Sequence, residues 1–310
     1  MAVTAAMVKE LREMTGAGMM DCKKALAATD GDMDKAVEFL REKGLAGAAK
    51  KAGRIAAEGI VMTKMAADEK TAVVVEVNAE TDFVAKNEKF QNYVADVAEQ
   101  ALASDAADMD AFMAEKWAKD ESLTVAEALS SQISIIGENM KIRRYEKLTA
   151  TAGFVASYIH AGGKIGVLVD VETDVVNDEI KEMARNVAMQ AAALKPLYTN
   201  RDEVDADYIE KEKEILTVAA KNEKPDANDK IISGMVMGRI NKELKEICLL
   251  DQVYVKAEDG KQSVSQYVAQ VAKANNAKVA IKKFVRFETG EGLEKKEENF
   301  ADEVAKQMGM

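Results

Sequence analysis

Apolar residues at helical spacing predict that the chain begins with a small bundle of helices. Val8, Leu11 and Met14 recur along one face of the first helix, and glycine-containing breaks divide residues 1–45 into three helices. So few residues can enclose only a thin core, and the bundle should be marginally stable alone. Residues 46–58, rich in Ala, Lys and Gly, are predicted to form a helical or flexible linker.

Beyond the linker the apolar period changes, and strands alternate with helices. Two apolar, largely β-branched runs around a polar turn predict a β-hairpin, and helices and a further alternating segment follow it. The elements predicted here are strands at 60–62 and 73–77, a helix from about Asp82 to Leu102, helices at about 106–118 and 124–135, and a strand at 141–147.

The rest of the chain repeats this alternation around a helical insertion. Its predicted core elements are strands at 154–160 and 165–169, a helix at about 178–193 that ends before Pro196, and a strand at 279–287. The insertion has two long helical patterns, 203–222 and 229–247, which predict an antiparallel helical hairpin.

Apolar stripes predict which faces of the inserted helices meet. The first stripe contains Val204, Tyr208, Ile215 and Val218, and the second contains Ile232, Met235, Val236, Ile240, Leu244 and Ile247. A last amphipathic helix is predicted from the spacing of Phe300, Val304 and Met308.

An internal repeat relates two parts of the chain. A strand containing Val74–Val77 leads into Glu80–Val84 and then a helix, and a strand containing Val167–Asp170 leads into Glu172–Val176 and then a helix. Within Glu80–Val84 and Glu172–Val176 the copies differ at one position, where the first has Phe83 and the second has Val175.

These patterns predict an α+β fold with a three-helix bundle, two related α/β halves with small antiparallel sheets, a helical hairpin and a C-terminal helix. The predicted divisions are a bundle with linker at 1–55, a first core half at 56–150, a second core half at 151–200 and 248–290, the inserted hairpin at 201–247, and a C-terminal module at 291–310.

Composition narrows the class of partner. The chain of 310 residues is 48% hydrophobic and 31% charged, with a formal net charge of −11 and no long basic run. Such a chain should repel nucleic acid and anionic lipid, so a protein partner is favoured. The N-terminus has no signal-peptide pattern, and no stretch approaches the ~20 apolar residues that span a membrane, so a cytosolic protein is expected.

Residues that could support catalysis or bind a metal are few. His160 is the only histidine, and Ser157 on the same strand should point to the opposite face. Cys22 and Cys248 are isolated and suit buried apolar positions, without a CxxC or Cys/His cluster for a metal. These observations favour a binding protein without cofactor over an enzyme.

The first copy of the repeat contains the most informative candidate. Thr81 and Asp82 can cap the helix that follows them, which is a structural role. Phe83 lies in the first helical turn, and the pattern leaves two interpretations open: it packs into the core, or it is an exposed anchor for a partner. Ile136 and Gly137 end a helix, where Gly is first of all a C-cap.

These pieces together resemble bacterial translation elongation factor Ts, a family of nucleotide exchange factors for elongation factor Tu. The resemblance covers nearly the whole chain and is carried by Thr15–Leu26, Thr81–Lys86, Ile136–Asn139, His160 with Ile165–Val169, and Arg286–Glu288. Two departures are Ala79–Glu80, where some members have Cys-Gln, and Lys256, where some have Met.

The resemblance implies a mechanism and a set of partner-binding residues. Asp82 and Phe83, with Thr81 and Val84, would enter the GTPase domain of elongation factor Tu and disturb its Mg²⁺ and phosphate site, so that GDP leaves and GTP binds. The other implied contacts are Ile136, Gly137 and His160 on the same interface, Lys23 in a bundle that looks ubiquitin-associated-like, and Val255 and Lys256 on another domain of the partner. A 2:2 assembly with the partner is compatible with the resemblance.

Two alternatives remain. A ubiquitin-associated-type adaptor for nascent chains or ribosomes would explain the N-terminal bundle, but it needs no duplicated Thr-Asp motif and no helical hairpin. An enzyme that uses Cys22 or His160 would require a thiol of low pKa.

Overall fold

The computed structural model describes residues 3–294 and begins with the predicted bundle. Its helices are α1 (Ala5–Thr15), α2 (Met19–Ala28) and α3 (Met33–Lys51). The Thr4 side chain accepts a hydrogen bond from the Met7 amide and caps α1, while Gly16 ends α1 in a left-handed conformation. Leu11, Cys22 and Leu26 form the thin core that the pattern predicts.

The first half of the core is a three-stranded antiparallel sheet with helices on one face. Its elements are β1 (Glu58–Met65), β2 (Thr71–Ala79), α4 (Asp82–Ala85), α5 (Glu88–Ala103), α6 (Met109–Ala114), β3 (Lys116–Trp117), β4 (Asp120–Thr124), α7 (Val125–Ile136) and β5 (Met140–Thr149). The strand order is β1-β2-β5, and the inward faces of α5 and α7 share a hydrophobic cluster with this sheet.

Two predictions for the first half are wrong. The helix predicted from Asp82 to Leu102 is two helices, because the chain breaks at Lys86 and the Asn87 side chain caps α5. The helix predicted at 106–118 is the short α6, followed by the two-stranded hairpin β3-β4 with Trp117 buried. Elements this short do not establish a period in the sequence.

The second half repeats the plan and contains the inserted hairpin. Its elements are β6 (Phe154–His160), β7 (Ile165–Thr173), α8 (Asp178–Leu194), α9 (Ala206–Glu223), α10 (Asp229–Ile247), α11 (Val264–Ala274) and β8 (Val279–Glu288). The strand order is β6-β7-β8, and α8 and α11 pack on one face. Helix α11 was not predicted from the sequence, although Val264, Val268 and Val271 recur at helical spacing.

The two sheets pack against each other through their other faces. Val61, Val74 and Leu148 of the first half meet Leu168 and Phe287 of the second in one buried cluster. The layers are therefore helices, sheet, sheet and helices. At one end a backbone hydrogen bond also joins the two halves, in which the Val61 amide donates to the Gly163 carbonyl at 2.7 Å.

A fully buried carboxylate also joins the halves. Glu76 of β2 accepts hydrogen bonds from the Arg143 Nη1 at 3.0 Å, from the Arg144 Nε at 2.6 Å and from the backbone amide of Gly290 at 2.7 Å. The Arg144 guanidinium also stacks on the ring of Phe287, 4.1 Å from its centroid. The buried charge is thus paired and hydrogen-bonded, as burial requires.

The inserted hairpin forms as predicted, but the stripe predicted for its first helix is wrong at Ile215 and Val218. Ile232, Val236, Ile240 and Leu244 of α10 are buried against α9. On α9, however, Ile215 and Val218 are 60% and 61% exposed, and the residues that join this cluster are Ile209, Leu216 and Ala220.

The predicted closing helix, with Phe300, Val304 and Met308, lies outside the described residues. Among the helices of residues 3–294, none is long and apolar enough to cross a membrane.

Candidate functional site

Phe83 is the most exposed large hydrophobic side chain among the described residues, with 80% of its surface accessible. It lies in α4, a helix of four residues in which Ala85 is buried and Val84 packs at the edge of the core cluster. The interpretation that Phe83 packs into the core is therefore wrong. We call Glu80–Val84, where β2 ends and α4 begins, the corner.

The corner is fixed by two glutamates that sequence reasoning did not single out. Glu138 Oε2 accepts hydrogen bonds from the amides of Glu80 and Thr81, both at 3.1 Å, and its Oε1 accepts from the Thr81 hydroxyl at 2.7 Å. In return, Glu80 Oε1 accepts from the Asn139 amide at 2.5 Å. We call this reciprocal pair, Glu80 with Glu138, the carboxylate clamp.

Glu138 directly follows Ile136 and Gly137 in the chain, so the clamp places the end of α7 beside the corner. Gly137 ends α7 with φ 90°, and its amide donates to the Ile133 carbonyl at 2.9 Å, so its predicted C-cap role is confirmed. Ile136 is partly buried against the first core cluster, and Gly137 is exposed.

Asp82 points to solvent and forms a local ion pair. Lys86 Nζ lies 2.6 Å from Asp82 Oδ2, and this hydrogen bond lowers the pKa of Asp82 below its usual value. The Lys164 ammonium of the β6-β7 turn lowers that pKa further through its charge. Asp82 is therefore a carboxylate at neutral pH.

Lys164 also connects the turn that follows His160 to the first half. Lys164 Nζ lies 2.6 Å from Glu58 Oε2, at the start of β1. His160 is exposed at the end of β6, and its Nδ1 lies 3.0 Å from the Tyr158 hydroxyl, two residues back on the same face. This histidine is thus a surface residue on a turn anchored beside the corner.

The remaining predicted contacts lie elsewhere on the molecule. Lys23 is exposed on α2 of the bundle. Val255, 47% exposed, and Lys256 lie on a loop held by α8: the Val255 amide donates to Gln190 Oε1 at 2.8 Å, and Lys256 Nζ donates to Asn186 Oδ1 at 2.7 Å.

The second copy of the repeat differs in ways that matter for function. The cap of α8 is Asn177, and neither Thr173 nor Asp174 caps this helix. Six positions separate Thr81 from the cap residue Asn87, whereas four separate Thr173 from Asn177. The two additional residues of the first copy allow the extra turn, α4, which exposes Phe83, while Val175 packs against the second core cluster.

The two cysteines are free and buried, as predicted. Cys22 Sγ lies 3.7 Å from the Ala17 carbonyl in the bundle core. The pKa of the Cys248 thiol is raised to about 11, chiefly because the thiol is buried. A nucleophilic thiolate at Cys248 is thereby disfavoured.

Comparison with known proteins agrees with this architecture. The model of the family described as Elongation factor TS matches residues 80–291. Proteins named Elongation factor Ts from Clostridium novyi, Clostridioides difficile and Clostridium perfringens are 53%, 55% and 53% identical to the chain over 307, 306 and 308 residues, each covering 99% of both sequences.

The chain is therefore a translation elongation factor of the nucleotide-exchange type. Within that class, the chain belongs to the elongation factor Ts family. Elongation factor Tu, on which this family acts, is accordingly its partner. The adaptor alternative is not favoured, because relatives align with the whole chain and not with the bundle alone.

Proposed function

We propose that the corner enters the GTPase domain of elongation factor Tu bound to GDP, and that Phe83 wedges between side chains there. The wedge disturbs the elements that hold Mg²⁺ and the phosphates, so that GDP leaves and GTP can bind. The observation that carries this proposal is the 80% exposure of Phe83 on a turn fixed by hydrogen bonds. A partner that buries this exposed aromatic ring gains its large apolar contact area.

Energetics indicate that the wedge acts with a wider surface. Burying one large apolar side chain contributes roughly 1.5–3 kcal/mol. That is about ten- to a hundredfold in an equilibrium constant. Ile136, Gly137 and His160 extend the same surface around the corner, while Lys23 would dock on the GTPase domain from the bundle. Val255, Lys256 and the helical hairpin would contact the partner elsewhere.

The proposed action is binding without chemistry. A factor that binds the nucleotide-free partner more tightly than the nucleotide-bound partner must, by reciprocity, weaken nucleotide binding. No covalent step and no cofactor are required. We propose that the protein is cytoplasmic and contacts neither nucleic acid nor membrane. The 2:2 assembly with elongation factor Tu stays a prediction, which the mass of the complex in solution would test.

The test is the release of a fluorescent GDP analogue from elongation factor Tu, followed by stopped flow. Phe83→Ala should slow factor-stimulated release by about ten- to a hundredfold, since the ring can contribute no more than its burial energy. The matched control is Val175→Ala in the second copy, which should affect stability only. Release by Phe83→Ala at the wild-type rate would overturn the wedge proposal.

A further inference from the structure

The helix that presents Phe83 cannot be stable by itself. α4 contains four residues, and a single helical turn does not form on its own in water because nucleation is unfavourable. Contacts from outside α4 must hold it. Buried Ala85 and the packing of Val84 supply some of these contacts, and the carboxylate clamp defined above supplies the hydrogen bonds at the start of the helix.

The clamp determines the orientation of the Thr81 side chain, which caps α4. A hydroxyl has one proton to donate, and that of Thr81 goes to Glu138 Oε1 at 2.7 Å. The oxygen then offers its lone pair to the Val84 amide at 3.3 Å, which is the capping hydrogen bond of α4. Glu138 thus selects the rotamer in which Thr81 can cap the helix.

The clamp is made of strong interactions between segments far apart in the chain. The two glutamates lie 58 residues apart, and each accepts from backbone amides of the other's segment. Hydrogen bonds to an ionised carboxylate are shorter and roughly twice as strong as those between neutral groups. The Arg54 guanidinium lies 3.4 Å from Glu80 Oε1 and adds a partly exposed ion pair.

The second copy of the repeat indicates that the clamp is not needed for the fold. There the Thr173 hydroxyl lies 2.9 Å from the Val175 carbonyl, to which it donates, and Glu172 makes a surface ion pair with Lys282 at 3.4 Å. Within residues 3–294, the same Glu-Thr-Asp sequence therefore passes from strand to helix without a partner glutamate. The clamp occurs in the copy that exposes an aromatic side chain.

From this contrast we propose that Glu138, paired with Glu80, is a positioning residue for nucleotide exchange. It holds α4 in the conformation that binds the partner before the two proteins meet, so that little ordering is left for the complex to supply. The inference rests on the proposed function of Phe83, because it assigns Glu138 an effect that passes through that side chain.

The decisive experiment is a double-mutant cycle on the rate of factor-stimulated GDP release at subsaturating factor. Glu138→Gln keeps the size of the side chain but replaces one accepting oxygen with an NH₂ group. It should slow release by about tenfold, the value of a hydrogen bond to a charged group. In a Phe83→Ala background, the same substitution should cause little further loss.

Each outcome has a defined meaning. A wild-type rate of GDP release with Phe83→Ala would count against the wedge. A wild-type rate with Glu138→Gln, while Phe83→Ala is slow, would overturn the positioning role and leave the wedge intact. Equal slowing by Glu138→Gln in both backgrounds would also overturn it, since that is what a merely structural role predicts.

Controls separate positioning from loss of fold. Glu172→Gln, the matched change in the second copy, should exchange at the wild-type rate. If Glu138→Gln does not fold, Thr81→Val removes the hydroxyl at similar volume and should give the same non-additivity with Phe83→Ala. Thermal unfolding of each variant reports whether the core has formed.

Discussion

Gln100 and Gln190 have equivalent positions in the two copies of the repeat, and each is buried and holds a loop through its side-chain amide. Gln100 Oε1 accepts from the Ala118 amide at 2.9 Å, and its Nε2 donates to the Lys116 carbonyl at 3.2 Å. Gln190 does the same for Val253 and Val255, at 3.0 and 2.8 Å. The repeat therefore extends to the way in which each main helix positions a loop.

Replacing either glutamine should lower the stability of the fold, but only the change at Gln190 should also weaken binding to the partner. Gln100→Leu and Gln190→Leu each leave backbone groups unpaired, which costs about 1–3 kcal/mol, so both should unfold at a lower denaturant concentration. Gln190→Leu should in addition weaken binding to elongation factor Tu, because it frees the loop with Val255 and Lys256. Calorimetric titration checks this, and equal affinities for the two variants would remove that loop from the interface.

The close approach of the two sheets leaves little room for a side chain at Gly166. A Cβ on Gly166 would lie 2.5 Å from Val61 Cγ1 and 3.3 Å from Val74 Cγ2, across the contact between the halves. Gly166→Ala should destabilise the core by about 1–3 kcal/mol, as overpacking does.

The control for this prediction is Gly234→Ala on the exposed face of α10. A Cβ there meets nothing within 4 Å, and Ala should stabilise the helix by about 0.5–1 kcal/mol. Denaturant unfolding monitored by circular dichroism measures both. A Gly166→Ala protein as stable as the wild type would contradict this prediction, because the two sheets would then admit a methyl group without loss of stability.

The burial of Asp170 should make the free energy of unfolding depend on pH. Its Oδ1 is buried without a hydrogen-bond partner among the described residues, and burial, followed by the nearby charge of Glu172, raises its pKa above the usual 3.8. A carboxyl with a raised folded-state pKa destabilises the fold when ionised, and this penalty is relieved as pH falls through that pKa.

Asp170→Asn should therefore raise the unfolding temperature at neutral pH and have no such benefit below the ordinary carboxyl pKa of 3.8. Melting curves across this range test the sign. Glu172→Gln, which removes only the neighbouring charge, should give a smaller increase of the same sign. The same increase at low and neutral pH would exclude ionisation as the cause.

Hydrophobic periodicity was sufficient to predict most of the fold, because long strands and helices repeat their pattern several times. It failed over residues 106–124, where α6, β3 and β4 are too short for a period, and on α9, where Ile215 and Val218 follow helical spacing but lie on the outer face. Exposure and packing at such positions depend on tertiary context.

The candidate site was only partly visible in the sequence. The repeat singled out Phe83 but left open whether its side chain is buried in the core or exposed. The extra turn α4, which precedes α5, decides this, and the sequence pattern did not predict that turn. Glu80 and Glu138 could not be paired from the sequence, since 58 positions separate them and glutamate is abundant on helical surfaces. A short segment rich in Gly and polar residues after α7 was the available signal.

The back-to-back arrangement of the sheets has a consequence for synthesis of the chain. Among the described residues, the inner face of β1, β2 and β5, with Val61, Val74 and Leu148, is covered by strands of the second half, and the Glu76 carboxylate receives its last partner from Gly290. The first half therefore leaves the ribosome with an apolar surface that β6 and β7 begin to cover and that β8 completes with Val285 and Phe287. A nascent chain stalled before β6 would expose a surface prone to association.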